Sequence, residues 1–479
     1  MAFLKLAATL SSFALLAGCA AVTGEAGLQD VQNSSRTVLA ADISKVRNEP
    51  EANVVQSRVI QSLKRPLSSD AAVQIALLKN RGLQASLNDL GIAEAQMVQA
   101  SLPPNPRIGL SRKTGILALE IERQISASIF ALATLPVRTA IAKDQFRSAQ
   151  LRTSEAVFKL AADTRRQYIR AVAANQQVAG LAVAKRTSEA TAELVKRLGE
   201  SGALNKLNQA RDFVFDAELG AQLAQARTQA RVEKERLVRL LGLWGEDVDK
   251  LKLPTALPSL PRLKTVREVE ADALRRRIDL EVARSDLEAL AKTLGLAEAT
   301  RFISDVDLLA RRTTDRAHIY AADGDYEREK KTFRTLELEI EIPIFDFGQA
   351  RVAQAEETYM RAANKLAEKA VNIRSEAREA YQAWRGTRDV AALYQSRILP
   401  LRKIIQDESL LQYNGMLIDV TQLIADARGR VMSQVAAVNA TRDFWLADVD
   451  FRHAIIGGGI SGAAMSAAGP SAEAGGGGH

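Results

Sequence analysis

Two stretches of the chain alternate apolar and polar residues with a period of two. From Leu336 to Ile344 the even positions are Leu336, Leu338, Ile340, Ile342 and Ile344, while Glu337, Glu339 and Glu341 hold odd ones. A strand here puts aliphatics on one face and carboxylates on the other. Further upstream, Leu119, Ile121, Ile125, Ala127 and Ile129 alternate with Glu120, Glu122, Gln124, Ser126 and Ser128, and only Arg123 breaks the apolar row. Shorter partners precede each run, around Ile108 and Leu110 and around Phe302, Val306 and Leu308. The pattern predicts four strands, paired over 106–130 and 301–345.

Elsewhere the apolar spacing lengthens to threes and fours. Val352, Ala355, Tyr359, Ala362, Leu366, Ala370, Ile373, Ala377, Ala380 and Trp384 form the seam of a coiled coil. No proline lies between Pro136 and Pro254. The spacing predicts helices over 137–200 and 349–413, each roughly 95 Å long at 1.5 Å per residue. Pro400 falls inside the second, where a kink is expected, since the apolar pattern resumes beyond it. Gly199 and Gly202 mark one turn and Gly415 the other; Asn205 is placed to cap the returning helix after the first, and Asp419 with Gln422 resembles a capping box after the second. Two long helical hairpins follow, over 137–245 and 349–447.

The order of these elements repeats. Ala76-Leu77-Leu78-Lys79-Asn80-Arg81-Gly82-Leu83-Gln84 aligns with Ala273-Leu274-Arg275-Arg276-Arg277-Ile278-Asp279-Leu280-Glu281, and Ser201-Gly202-Ala203-Leu204 aligns with Asn414-Gly415-Met416-Leu417. Gln209 and Gln422 both stand seven residues past the turn glycine. Two repeats are expected, 69–253 and 254–455, each a helix (265–300 in the second), a strand pair and a helical hairpin.

Composition narrows the chemistry. The 479 residues are 47% apolar but only 5% aromatic, which provides for a large core and argues against disorder. One cysteine allows no internal disulfide or cysteine-cluster metal site, and the three histidines, His318, His453 and His479, offer little for acid–base chemistry. No nucleophile or carboxylate constellation and no nucleotide-binding loop is visible, so neither an enzyme nor a cofactor is expected. The net charge of +8 does not point to nucleic acid, because basic residues interleave with acidic ones along the helices, as in Arg361, Lys365, Glu368, Lys369 and Glu376.

Residues 1–18 read as a secretory signal: Lys5, an apolar run from Leu6 to Leu16, then small residues. Leu16-Ala17-Gly18-Cys19 resembles the lipobox of bacterial lipoproteins, which implies acylation of Cys19; an ordinary signal peptide with an incidental cysteine is the alternative. Ala20 rather than aspartate follows the cysteine, which by analogy implies outer-membrane sorting in a Gram-negative bacterium. Residues 19–68 show no sustained apolar period and are expected to be a tether, and 456–479 a disordered tail rich in glycine, alanine and serine.

The lipobox, the repeated helix–strand–strand–helix order, Leu102-Pro103-Pro104-Asn105-Pro106 before the first strand, Ile342-Pro343-Ile344-Phe345-Asp346-Phe347-Gly348 after the last, and Tyr413-Asn414-Gly415 at the second tip together resemble the TolC-type outer-membrane efflux factors. The resemblance covers about residues 69–455. It implies a mainly helical chain with a membrane portion: a homotrimer in which four strands per chain close a twelve-stranded β-barrel, and long antiparallel hairpins continue as a hollow α-barrel in the periplasm. Glu120, Glu122, Glu337, Glu339 and Glu341 would then face the lumen, and Phe130, Phe345 and Phe347 the lipid headgroups. A periplasmic adaptor would meet the tips around Gly202, Leu204, Gly415 and Leu417, and an inner-membrane pump would supply the energy. Relatives often carry aspartate rings past the tips; here those positions are Asn208 and Thr421, leaving Asp419 and Asp426 as further gate candidates, which a helix cap and a solvated face explain equally well. Likeness of the tips to efflux factors encoded with copper-resistance systems is slight, and the substrate is unassigned. The competing reading is a periplasmic coiled-coil lipoprotein with a soluble sheet wet on one face.

Overall fold

The computed structural model describes residues 27–116, 118–202, 204–262, 268–320 and 326–459. Cys19, the signal segment and the tail from residue 460 lie outside them. Contacts divide the chain into two units. Among the described residues, one covers 27–30, 88–151 and 281–368, and the other 31–87, 152–280 and 369–459.

The first unit holds a four-stranded antiparallel sheet in the order β1 (Arg107–Thr114), β2 (Ala118–Ser128), β3 (Asp305–Tyr320), β4 (Tyr326–Glu341). Both expected strand pairs are present, and β2 and β3 join them across the repeat boundary, for example Ile125 opposite Ala310. β3 and β4 are each 16 residues long, well beyond the nine to eleven that alternation marks. Ile342 and Ile344 lie past the end of β4, and Ile129 begins a short helix, Ile129–Ala133, capped by the Ser128 hydroxyl, which accepts from Ala131 N–H. Gly348 turns the chain out of the sheet at φ +70°, with Phe347 at +46° before it; a Cβ on Gly348 would stand 2.3 Å from the Arg301 carbonyl oxygen. Beside the sheet, helical segments bury Leu90, Ala142, Phe146, Ala289 and Ala297, and Ser148 donates to Asp286 at 2.5 Å.

In the second unit the core gathers Val55, Val59, Leu63, Leu67, Ile75, Ile169, Val172, Leu237 and Leu241. The first four correct the tether expectation. Leu28–Leu39 and Glu49–Leu63 are helices, and Val55, Val59 and Leu63, four apart, give the second one an apolar stripe that packs inward. Asn48 caps it, accepting from Glu51 N–H at 3.0 Å.

The duplication is visible in backbone detail. Helix Ser69–Lys79 breaks at Asn80 (φ −63°, ψ 119°) before Arg81–Ser101, and helix Val269–Arg276 breaks at the aligned Arg277 (φ −70°, ψ 120°) before Ile278–Ala299. In the first copy the Asn80 side chain caps the next helix through Leu83 N–H at 3.1 Å. In the second, Arg277 is buried instead and bonds Asp279 at 2.8 Å and Glu376 at 2.5 Å.

Long helices follow each strand pair: Leu135–Glu200 with Lys206–Leu241, then Gln349–Leu393 with Leu399–Asn414 and Val420–Ile456. The interruption near Pro400 is a turn of π-helix, Tyr394–Ile398, after which Pro400 sits in the first turn of the next segment. The ring, which has no N–H to donate, thus sits next to a known helix defect. The predicted seam is never exposed, and Ile373, Ala377, Ala380 and Trp384 are fully buried. Trp384 stacks on Phe451 with centroids 5.1 Å apart and donates to Asp448 at 3.1 Å.

Candidate functional site

The register assigns every strand residue to one of two faces, because paired residues share a side. On the first face, Ile108, Ile125, Ala310 and Leu336 form one rung, Ala127, Leu308 and Leu338 the next, and Val306 with Ile340 the last. These aliphatics are not packed away: Leu336 is 74% exposed, Leu110 77% and Ile108 74%. Phe345 and Phe347, just past β4, are exposed as well.

The opposite face collects the carboxylates. Glu337 pairs with Leu309, Glu339 with Asp307, Glu341 with Asp305, and Glu120 with Asp315. Cations temper it. Arg311 lies 3.2 Å from Glu122 and 3.6 Å from Glu337, and Lys113 lies 3.3 Å from Glu120. All five glutamates therefore share one face, but Arg311 and Lys113 partly neutralise it, and sequence reading missed both. The signal was there in part, since Lys113 stands two residues before the β1–β2 turn, but only pairing reveals which side Arg311 takes.

At the first tip Gly202 is left-handed (φ +75°), and Asn205 accepts from Asn208 N–H at 2.9 Å, as expected. Gly199 accommodates Gln209, whose amide donates to the Leu204 carbonyl at 2.9 Å; a Cβ on Gly199 would stand 2.4 Å from that side chain. Leu204 is half-buried.

The second tip differs from its aligned partner. Gly415 has φ −79°, and the left-handed residue is Met416 at +58°. Met416 N–H donates to Tyr413 and Leu417 N–H to Gln412, a Schellman closure whose capping position is not glycine. The conformational role expected of Gly415 thus falls to its neighbour. Met416 is 94% exposed and Leu417 77%, so this tip presents apolar side chains to solvent. Asp419 caps the returning helix through Gln422 N–H at 2.9 Å. The box is only half closed, because the Gln422 amide reaches toward Asp426 rather than back to the cap. Asp426 also accepts from the Ser409 hydroxyl at 2.6 Å, and Thr421 and Asn208 are half-buried.

Between the hairpin helices of the second unit, Asp212 is fully buried with neither carboxylate oxygen hydrogen-bonded. Burial, and then the neighbouring Asp216, push its pKa up to about 6. Asp216 itself is held by Lys185 at 2.7 Å. The cavity beside Asp212 is lined by Thr187, Ser188, Phe215, Gln406 and Arg430. Sequence reading did not single out Asp212, because a lone aspartate on a charged helix carries no signal until its surroundings are known.

Among the described residues no helix is long and apolar enough to cross a membrane, and no group of His, Cys, Asp and Glu is placed to hold a metal ion. No family model matches the sequence, and no curated protein does. Solved structures match in fold. CusC, whose structures concern folding and transmembrane channel formation, aligns over 83% of this chain and 94% of its own at TM-score 0.69 and 17% identity. The Campylobacter jejuni outer-membrane channel CmeC aligns over 87% and 90% at TM-score 0.68 and 14% identity. The outer-membrane protein VceC of Vibrio cholerae aligns over 82% and 96% at TM-score 0.67 and 16% identity. This chain has the mainly helical, four-stranded fold of the TolC-type outer-membrane channels.

Proposed function

We propose that the protein is the passive outer-membrane exit duct of a tripartite efflux or export system, carrying substrate from an inner-membrane pump and a periplasmic adaptor to the outside. The exposed aliphatic face of the sheet, backed by a face of carboxylates, carries this reading. Apolar-out, polar-in alternation is what a transmembrane barrel requires, whereas a soluble sheet covers its greasy side. Among the described residues, the outer edges of β1 and β4 have no strand partner. Lipid does not tolerate open edges, so three copies closing a twelve-stranded barrel supply what one lacks.

In this assembly Glu120, Glu122, Glu337, Glu339 and Glu341 line a wet, acidic lumen. The tips dock the adaptor, with Leu417 and Met416 as the principal contacts, Leu204 as a lesser one, and Gly202 shaping its turn. Asn208, Thr421, Asp419 and Asp426 are the residues from which a constriction is built near the tips. An acylated Cys19 anchors the chain in the outer membrane.

Planar-bilayer conductance of the purified protein tests the duct. Discrete channel steps with cation preference are expected, and Glu339→Lys is expected to lower that preference while leaving assembly intact. Correctly assembled protein that inserts but passes no ions would refute it.

A further inference from the structure

Arg123 breaks the apolar row of β2, and the register explains why. It pairs with Arg312 of β3, which pairs with Arg334 of β4. Three arginines thus stand side by side on the aliphatic face, one rung beyond Ile125, Ala310 and Leu336. All three are exposed. Toward the sheet's far end the same face carries Arg112, Arg316 and Lys330, and among its described residues no aspartate or glutamate. Every strand carboxylate among the described side chains stands on the other side, where the ion pairs of Arg311 and Lys113 also lie. Like charges directly opposite one another destabilise a sheet, so an in-register row of arginines calls for an anion from outside the chain.

We infer that this row binds the phosphate groups of a lipopolysaccharide in the outer leaflet; the inference rests on reading the sheet as a membrane wall. Its height fits. From Arg334 back to Ile342 the chain covers about 26 Å at 3.3 Å per residue, or about 20 Å of wall at a tilt near 40°, close to the apolar band of outer-membrane barrels. The row therefore sits where hydrocarbon gives way to phosphorylated sugar. Guanidinium groups suit that partner, because their planar forks grip phosphate oxygens in pairs. Arg123, Arg312 and Arg334 are among the residues that line a shallow recess with Ile125, Ala310 and Leu336. An acyl chain can lie against the aliphatics while its phosphate meets the cations.

The test compares wild type with R123Q/R312Q/R334Q, both purified as assembled protein in neutral detergent. Each is titrated with diphosphorylated lipid A and with the same lipid stripped of phosphate, and conductance is recorded in parallel. Wild type is expected to prefer the phosphorylated lipid, and the triple variant to lose about tenfold or more in affinity for it alone, with conductance retained. Should the triple variant fail to assemble, R123K/R312K/R334K keeps the charge and is expected to assemble and bind, while R334Q alone is expected to bind more weakly. Equal binding by wild type and variant, or no preference for phosphate, overturns the inference and leaves the duct standing. Wild type that binds lipid A but never conducts overturns the duct instead.

Discussion

Asp212 illustrates how much one side chain can hold in reserve. Its folded pKa lies above its unfolded value, so between roughly pH 4 and 6 the folded chain keeps a proton that the unfolded chain has released. The associated stability is fully present below the unfolded pKa and is lost as pH rises through about 6. Asp216, itself paired with Lys185, acts on it, and Arg430 lines the same cavity. Asp212→Asn is expected to raise stability at pH 7.5 by about 2–3 kcal/mol, at 1.36 kcal/mol per pKa unit, and to change little at pH 4. Thermal unfolding of both proteins at the two values checks this, and parallel pH profiles would sink it. At Gly348, alanine meets both a left-handed backbone and the Arg301 carbonyl, so Gly348→Ala is expected to destabilise by about 2–4 kcal/mol. Lower yield and an earlier thermal transition are the readouts. Single residues were unevenly legible. The caps at Asn205 and Asp419 could be read because capping is local chemistry, whereas the exchange of roles between Gly415 and Met416 could not, since composition points to glycine.

Elements were legible where one face is apolar and the other polar. The inner halves of β2 and β4 alternate cleanly and were found; the outer half of β3, Arg311-Arg312-Thr313-Thr314-Asp315-Arg316, is polar on both sides and gives no period-two contrast. Its strand character comes from pairing with β4, which no local pattern encodes. The same logic sets the next prediction. Leu338 and Ile340 sit within β4 on the aliphatic face, so Leu338→Lys with Ile340→Lys is expected to block outer-membrane assembly. Each lysine costs about 2–4 kcal/mol near a bilayer midplane. Normal yield of assembled protein from that double variant would count against the wall.

For the whole molecule, the repeat was legible from order and spacing and the fold class from the family resemblance they carry, while the role of residues 28–67 was not. Two polar helices with one thin apolar stripe look like a tether until the core they complete is seen. The proposed trimer rests on strand edges that have no partner among the described residues. Purified protein in detergent is expected to run as a trimer that resists moderate heating, by light scattering and by unboiled electrophoresis. A monodisperse monomer with a native spectrum would refute closure.

The segregation of side chains between the two sheet faces also constrains how the strands find one another. Sliding β2 or the inner half of β4 by a single residue exchanges its greasy and acidic sides together. An offset pairing of those stretches would set glutamates beside the neighbouring strand's aliphatics and isoleucines beside its polar residues, one error for every pair. Proofreading is thus written into the alternation itself: a chain that zips up wrongly is penalised many times over before it can seal.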